Sequence, residues 1–264
     1  MSKLFEIFRD WELIFILAKR DFKVKYKQSI LGVGWAVIRP TLTLAIFVFG
    51  YEVVGKIKAV SDYPIILVLF TGIISWNYFS MVFQNVSNSI LYNANLVTKV
   101  YFPRLILALS AIFTPAIDLV IGLILLFIAQ LALGYPFNPL FLIYIIPSIL
   151  VITCSALGYG LIMASFSVKY RDFIQIIPII TQYGFFMTPV VYTSKDLQSY
   201  HWYFYYNLIN PMCGTIEAFR NGFLENYSIY DSNLFLFSGV STILVLIIGI
   251  IIFNKREKYF VDDI

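Results

Sequence analysis

The side chains that could carry chemistry in this sequence are few and widely separated. Two carboxylates, Glu52 and Asp118, fall inside long apolar segments, and His201 is the only histidine. The two cysteines, Cys154 and Cys213, lie in different regions and lack the spacing of metal ligands. The sequence has no Gly-x-x-x-x-Gly-Lys-Ser/Thr phosphate loop, so it cannot bind ATP in the usual way. We therefore predict no catalytic residue, no metal site and no cofactor in this chain.

Asp118 is the carboxylate of greater interest, because an ionisable residue inside a membrane helix is a functional candidate. Its expected partners are Arg39 or neighbouring hydroxyls, and a single acid does not make a proton relay. Glu52 lies near the end of its apolar segment, where water can reach it. His201 has no companion ligands, so a metal role for it is not expected.

The composition shows which elements must position these residues. The chain has 264 residues, of which 60% are hydrophobic and only 13% are charged, and its mean hydropathy is +0.82. A soluble domain carries nearer a quarter charged residues, so we predict an integral membrane protein. The net charge of +4 is spread along the chain and gives no reason to expect nucleic-acid binding.

Six apolar segments are long enough for a bilayer crossing, which takes about 20 residues. We therefore predict an all-α membrane protein with six transmembrane helices in one domain of residues 33–254. Pro40 should kink the first helix or reset its first turn, and Pro178 and Pro189 should break the fifth. The predicted spans are residues 34–54, 63–83, 105–133, 140–166, 173–191 and 234–253.

Residues 1–32 predict an amphipathic helix ahead of the first span. Lys19, Lys23 and Lys27 form an i, i+4 ladder. A separate stripe carries aromatic and aliphatic side chains, a combination suited to a helix lying in the lipid headgroup layer. The alternative is a solvated, charged lead-in to the first span. The stripe residues are Trp11, Ile14, Phe15, Ala18 and Phe22.

The distribution of Lys and Arg predicts the orientation. Most of the 19 cationic residues fall on the side of the N terminus when six spans are counted. Both termini, including the tail of residues 255–264, are therefore expected in the cytoplasm. The opposite side holds only Lys56, Lys58, Lys195 and Arg220.

The connection of residues 195–233 is too polar to span a membrane and too aromatic for a free loop. It contains an interfacial aromatic run at residues 200–206 and a turn signal at Asn210-Pro211. We predict a helical hairpin on the outer side, with a short helix near residues 215–224. The alternative is a simple aromatic anchor.

Four stretches resemble the permease subunits of type-2 ABC exporters that carry cell-surface polysaccharides (O-antigen, capsule and teichoic-acid exporters). Residues 26–40, YKQSILGVGWAVIRP, match that family's Tyr-x-x-Ser-x-Leu-Gly-x-x-Trp-x-x-x-x-Pro entry into the first span. The others are residues 93–103 (NANLVTKVYFP, followed by Arg104), 169–173 (KYRDF) and 210–220 (NPMCGTIEAFR). They occur in the family's order, and the resemblance extends over nearly the whole chain.

The third stretch is followed by Thr188-Pro189 and Tyr192, and Thr188 is a small departure because the family often has Ser there. The resemblance and the sequence pattern together mark a set of structural or motif residues. These are Gly32, Trp35, Arg39, Pro40, Asp118, Arg171, Asp172, Pro189, Asn210, Pro211, Glu217 and Arg220.

The resemblance implies a homodimer in the cytoplasmic (inner) membrane, bound to two copies of a separate ATPase that carries ATP and Mg. It implies export of a lipid-linked glycan, O-antigen being the first choice, with the hairpin as outer gate. It also implies that the N-terminal helix and the loop after the second span contact the ATPase. The candidate coupling residues are Lys19, Lys23, Lys27, Asn93, Asn95, Lys99, Tyr101 and Arg104.

Two of these cytoplasmic regions also have plainer explanations. Lys99 and Arg104 flank the backbone-restricting Pro103 and could equally belong to an ordinary positive-inside loop. Asp172 can pair with Arg171 or with an N-terminal lysine and sits where a helix dipole favours an acid. We interpret Asp172 as structural.

Aromatic side chains are the expected contacts for a glycan. Sugar C–H faces stack on rings in a way that tolerates sliding, as bases do in sequence-tolerant strand binding. Trp76, Tyr78 and Phe79 are less favoured, and any single ring could instead pack against lipid or another helix. The candidates for lining the pathway are Phe47, Phe49, Tyr51, Tyr183, Phe185, Phe186 and Tyr192.

Three rival functions remain. The first is a type-2 ABC exporter of another substrate, such as teichoic acid, capsule or a drug. Only the family resemblance separates it well from an O-antigen exporter. A secondary transporter would show broken helices in symmetry-related halves and more intramembrane charges, and we find no convincing internal repeat. A membrane glycosyltransferase or acyltransferase would need a cluster of His or Asp on one face.

Overall fold

The structure is a computed structural model that describes residues 10–27, 29–54, 63–197, 203–225, 227 and 229–263. Every regular element in these ranges is helical, which confirms the predicted all-α class. Two 3₁₀ turns, Ser194–Asp196 and Glu257–Tyr259, accompany the α-helices. The α-helices are α1 (Trp11–Lys27), α2 (Gly34–Val54), α3 (Ile65–Tyr92), α4 (Ala94–Lys99), α5 (Leu105–Ser110), α6 (Phe113–Ala132), α7 (Phe141–Ser167), α8 (Asp172–Met187), α9 (Tyr203–Ile209), α10 (Met212–Phe223), α11 (Ser232–Arg256) and α12 (Phe260–Asp263).

Five helical stretches in the described residues are long and apolar enough to cross a membrane, so this is a multi-pass membrane protein. They correspond to five of the six predicted spans. The remaining predicted span is the fifth along the chain, residues 173–191. It corresponds to α8, which has only 16 residues. At 1.5 Å per residue α8 is about 24 Å long, somewhat short of a bilayer core of about 30 Å. The five stretches are Gly34–Tyr51, Ile65–Tyr92, Leu105–Ala132, Phe141–Ser167 and Ser232–Tyr259.

A proline ends α8 early. Thr188 has φ −91° and ψ 148°, the extended conformation that a following proline imposes. Pro189 therefore stops the helix at Met187, and the chain turns toward the hairpin. The prediction that Pro178 would also break this helix is wrong, because Pro178 lies inside α8.

The third predicted span, residues 105–133, is present as Leu105–Ala132 but is distorted near its start, where Ala111 and Ile112 keep helical backbone angles. α5 and α6 are separated at Ala111 and Ile112. Pro115 lacks the N–H that would donate to the carbonyl of Ala111, so the helix is weakened at this point. Asn85 of α3 donates from Nδ2 to that carbonyl at 3.4 Å, which partly replaces the lost bond.

The centre of the bundle is α3, which is mostly buried and packs against α2, α6, α7, α8 and α10. α7 in turn packs closely on α11 through small residues. A Cβ on Gly249 of α11 would lie 2.5 Å from the carbonyl oxygen of Gly158 on α7. The two backbones therefore touch, and no larger residue fits between them.

The bundle has two chemically different ends. One end carries α1, α4, the segment of residues 168–171 and the tail after α11, together with most of the described Lys and Arg residues. The other end carries the start of α3, the loop of residues 133–140 and the hairpin, with only Lys195 and Arg220. Lys56 and Lys58 lie outside the described residues.

The predicted hairpin is present as α9 and α10. Every residue of α10 is buried, and the helix packs against α3, α7 and α11. It therefore enters the protein interior instead of lying on the surface. Residues 200–202 of the aromatic run, including His201, lie outside the described residues, and the side chain of Phe204 is not described, whereas Tyr203, Tyr205 and Tyr206 lie on α9.

The predicted N-terminal helix is α1, which packs on α5 and α6. Leu17, Ala18 and Tyr26 are buried against the bundle, whereas Trp11 and Phe15 point outward. The predicted apolar stripe is therefore divided between a protein contact and an exposed edge. Residues 1–9 lie outside the description.

Candidate functional site

The hairpin carries two fully buried charges, Glu217 and Arg220, one turn apart on α10. Arg220 Nη1 lies 3.2 Å from Glu217 Oε1. The guanidinium also donates to three backbone carbonyls: Val190 at 2.7 Å, Tyr192 at 3.1 Å and Val68 at 3.2 Å. Arg220 thus ties α10 both to the start of α3 and to the segment after α8.

Glu217 completes the same network. Its Oε1 also accepts the backbone N–H of Ser194 at 2.7 Å, and its Oε2 accepts the Tyr227 hydroxyl at 2.6 Å. A Cβ on Gly72 would lie 2.4 Å from the carbonyl oxygen of Val190, so α3 is in direct backbone contact with this segment. The network therefore joins four separate stretches of chain in the interior of the hairpin end.

The hairpin turn is also held by side chains. Asn210 Oδ1 accepts the backbone N–H of Met212 at 3.0 Å, and Asn210 Nδ2 donates to Thr188 Oγ1 at 2.9 Å. The predicted helix start at Asn210-Pro211 is thereby confirmed. The second bond links the turn to the end of α8 beside Pro189.

At the opposite end, α1 is fastened to α6 through Asp118. Lys25 Nζ lies 2.5 Å from Asp118 Oδ2, and the Tyr26 hydroxyl donates to Asp118 Oδ1. Burial, and then the neighbouring carboxylate, raise the pKa of Tyr26, so its hydroxyl remains a donor. Of the two expected kinds of partner for Asp118, a hydroxyl is present, from Tyr26, whereas the ion pair is made by Lys25 and not by Arg39. Arg39 instead lies 5.6 Å from the centre of the Trp35 ring.

The loop between α3 and α5 projects from this end. Asn93 accepts a hydrogen bond from Arg20 of α1 at 2.6 Å, which fixes the start of the loop. Asn95 and Lys99 are exposed, and Tyr101 is 93% exposed. The loop therefore presents polar, cationic and aromatic side chains on a base that α1 holds.

The far side of the loop is held by the C-terminal tail. Glu257 Oε1 accepts the backbone N–H of Arg104 at 2.9 Å, and the Arg104 guanidinium lies 5.5 Å from the Tyr101 ring. Phe260 is buried and contacts Phe253 with ring centres 5.3 Å apart. The tail therefore folds back under the bundle and supports the loop.

The segment of residues 168–171 leads into α8 on this same end. Asp172 occupies the first turn of α8, where the helix dipole stabilises a carboxylate. Its predicted ion pair with Arg171 or an N-terminal lysine is not formed within the residues that the structure describes. Phe173 instead anchors the segment by stacking on Phe166 at 5.3 Å.

Residues 12–224 match the family described as ABC-2 type transporter. The chain belongs to the ABC-2 type transporter family. The match runs from the first turn of α1 to the end of α10, so it includes both ends of the bundle. Family membership makes this chain a transport component and not an enzyme, as predicted.

Curated relatives of this ABC-2 chain cover almost its whole length. It is 26% identical over 258 residues to an O-antigen export system permease protein RfbA of Klebsiella pneumoniae, covering 96% of this chain and 95% of the relative. It is also 26% identical over 255 residues to the RfbA permease of Myxococcus xanthus, covering 96% of both chains. The predicted resemblance to O-antigen export permeases is therefore confirmed.

The family motifs of this ABC-2 chain occupy both ends of the bundle. The first motif includes the end of α1, the corner at residues 29–33 and the start of α2, and in the corner Gly32 has φ +48°, where glycine is strongly favoured. Pro40 is buried inside α2. Residues 93–104 and 169–173 lie at the same end as this corner, whereas residues 210–220 build the hairpin turn and α10.

The predicted aromatic residues of the ABC-2 chain gather on α2 and α8. Phe47 and Phe185 stack with ring centres 5.5 Å apart, and Phe185 meets Phe186 at 5.2 Å. Phe49, Tyr183 and Phe186 are exposed, while Tyr51 is half-buried. Tyr192 is half-buried and donates to the Met187 carbonyl at 2.6 Å, at the edge of the hairpin.

The less favoured rings of the second span are buried in the core. Trp76 donates from Nε1 to the Thr181 carbonyl at 3.2 Å, and Tyr78 bonds to the Thr153 hydroxyl at 2.8 Å. Phe79 stacks on Phe83. These side chains hold α3 to its neighbours in the ABC-2 bundle.

Four important contacts were missed from the sequence: those of Lys25, Tyr26, Glu257 and Tyr227. Lys25 had a visible signal, because it lies off the ladder of Lys19, Lys23 and Lys27 and so faces another side of α1. The three ladder residues are all exposed. Tyr26 and Glu257 lie 92 and 153 residues from their partners, and Tyr227, ten residues from Glu217, is outside helical spacing, so none of the three gave a local signal.

Proposed function

We propose that this chain is the permease half of an ATP-driven exporter that moves lipid-linked polysaccharide, most closely O-antigen, from the cytoplasm across the inner membrane. The observation that carries the proposal is the near full-length similarity to O-antigen export permeases in two organisms. The chain functions as a homodimer bound to two ATPase subunits, which supply ATP hydrolysis with Mg. Membrane lipids surround the exposed apolar faces.

The projecting loop between α3 and α5 is the proposed contact with the ATPase. Its exposed Asn95, Lys99 and Tyr101 are supported from two sides, by α1 through Asn93 and by the tail through Glu257. Because the loop is held at both edges, a displacement of the loop by the ATPase can move the third span instead of only deforming the loop. The exposed lysines of α1 extend the same surface.

The aromatic faces of α2 and α8 are the proposed wall of the pathway. Phe47 and Phe185 join the two helices, and several further rings on them are exposed in the single chain. Rings offer sugar a stacking surface without fixed hydrogen-bond partners, so a polymer can slide. The second copy of the chain would close the pathway around the glycan.

In the proposed topology α8 crosses the bilayer as the fifth of six spans. Its N terminus follows the cationic end of α7, and Thr188, just beyond its C terminus, bonds to Asn210 of the hairpin. α8 therefore runs between the two ends of the bundle despite its length. Both termini are then cytoplasmic, and the hairpin is the outer gate.

The experiment that tests the function is purification of the tagged chain from membranes in which the neighbouring genes are expressed. A stoichiometric ATPase whose ATP hydrolysis rises with lipid-linked O-antigen supports the proposal. Stimulation only by teichoic acid, capsule or a drug would assign another exporter of the same type. A clean dimer without an ATPase would contradict the proposal and favour a secondary transporter.

Charge reversal tests the coupling surface in the same preparation. Lys99→Glu should reduce the amount of ATPase that co-purifies, because it places a carboxylate on the proposed contact. Lys195→Glu is the matched control, since Lys195 is exposed at the opposite end of the bundle. If both variants recover equal amounts of ATPase, the loop does not contribute to the ATPase contact.

A further inference from the structure

A cavity of about 520 Å³ lies where α1, α2, α3 and α6 meet. Lys25 of α1 and Arg39 of α2 line it, and Asp118 of α6 faces them. On the side of α2 the lining residues Trp35 and Leu42 are exposed. A molecule in the surrounding membrane can therefore reach the cavity from outside the chain.

Arg39 has donors that no other described residue uses. A guanidinium carries five N–H donors. Among the described residues, the Arg39 guanidinium lies near the Trp35 ring and donates no hydrogen bond. A cation within a membrane helix is costly unless it finds a partner. Phosphate is a well-matched partner, because its oxygens accept two parallel bonds from the guanidinium.

The rest of the polar lining also suits an anion. Lys25 uses one of its three N–H donors on Asp118, at 2.5 Å, so two donors remain. The cavity then has two cations against one carboxylate. Ser80 adds a hydroxyl that is only 8% exposed and has no hydrogen-bond partner within the described part of the chain.

Much of the remaining cavity wall is apolar, although Thr43, Asn77 and Gln84 also line it. Leu42, Ile74, Met81 and Leu119 line it beyond the charged rim. A free phosphate ion would leave this surface empty, whereas a hydrocarbon chain would cover it. The ligand indicated by this lining has a phosphate group attached to a lipid tail.

We propose that this cavity binds a membrane lipid through its phosphate, with Arg39 and Lys25 as the donors and the tail against the apolar wall. Two sources share this chemistry: an ordinary anionic phospholipid and the phosphate-bearing carrier of an exported glycan. Only the second source depends on the proposed function. The site itself follows from the geometry of the single chain.

The test is lipid binding by the full-length chain in detergent, without the ATPase and without ATP. Native mass spectrometry measures retention of phosphatidylglycerol, undecaprenyl diphosphate and, as a phosphate-free probe, diacylglycerol. We expect retention of one phosphate lipid per chain and none of diacylglycerol. Binding of both phosphate lipids assigns an ordinary lipid site, and binding of the diphosphate alone assigns the carrier.

Variants locate the binding. Arg39→Gln should weaken it about tenfold, as expected for loss of one charge-assisted contact. Leu42→Trp should also weaken it by narrowing the cavity at an exposed position, which keeps the test valid if the arginine variant is unstable. Lys255→Gln, at an exposed cation on the same end, is the control and should bind normally.

Equal retention of diacylglycerol, failure of both phosphate lipids to bind, or unchanged binding by both variants would overturn the proposal. None of these results depends on whether an ATPase co-purifies. A failed export assay alongside phosphate-lipid binding would therefore reject the proposed function and leave the lipid site standing.

Discussion

Replacing Arg220 by methionine should destabilise the protein strongly. The change leaves the Glu217 carboxylate fully buried with two remaining donors, the Ser194 N–H and the Tyr227 hydroxyl, and no adjacent cation. Breaking one side of a buried ion pair typically costs about 3–5 kcal/mol. Three backbone carbonyls lose their bond to the guanidinium as well, so we expect the upper half of that range.

The double variant Glu217→Leu/Arg220→Met distinguishes the ion-pair contribution to the free energy of unfolding from the contribution of side-chain packing. It removes both charges together, so no buried ion is left without its partner. Its loss should be smaller than the sum of the two single losses by about 3 kcal/mol, since residues in one network are strongly non-additive. Thr215→Val is the control, because Thr215 is buried on the same helix but its hydroxyl bonds only to the Pro211 carbonyl, at 2.6 Å.

The assay is equilibrium unfolding in a mixed micelle of mild detergent and SDS, followed by tryptophan fluorescence. The control variant should stay within about 1 kcal/mol of the unchanged chain. Losses that simply add in the double variant would refute the reasoning, because they would mean that the two charges do not stabilise each other. So would an Arg220→Met variant as stable as the control.

Three further predictions concern other contacts. Asp118→Asn removes the anchor of α1, so amide hydrogen exchange along α1 should rise several-fold while exchange in α7 stays unchanged. Glu257→Ala removes the acceptor for the Arg104 N–H, so amide hydrogen exchange in the adjoining loop should rise. Unchanged exchange in the loop would show that the tail does not stabilise it. Gly249→Ala forces a 2.5 Å contact and should cost more than 2 kcal/mol in SDS unfolding, whereas Gly239→Ala, with open space, should cost less than 1 kcal/mol; equal losses would contradict the close packing.

The membrane helices were predictable because long apolar runs end at polar or proline signals. The first predicted span, residues 34–54, coincides with α2, and the fourth differs from α7 by one residue at each end. The second predicted span, residues 63–83, marks the apolar part of α3, and the helix continues to Tyr92 through a polar stretch. Ser87 and Asn88 bond back to the carbonyls four residues earlier, so this stretch remains helical without an apolar sequence.

The contacts of the candidate site were harder to predict for a different reason. Glu217 and Arg220 were visible as an i, i+3 pair, but the sequence does not show that α10 is buried and that the pair reaches Val68. Asp118 was singled out from the sequence, yet its partner Lys25 is 93 residues away and was overlooked in favour of Arg39. Local pattern identifies which residues matter, and only the packing decides which of them meet.

The backbone contact between Gly158 and Gly249 has a consequence for how this protein can change over generations. Where two main chains touch, almost no larger side chain can replace glycine, so the contact between α7 and α11 must be kept as the sequence evolves. The outward side chains of α2 and α8 rest on far fewer neighbours, and many of them can be exchanged without disturbing that contact. A lineage can therefore alter the surface of α2 and α8, the proposed pathway wall, while keeping the same scaffold.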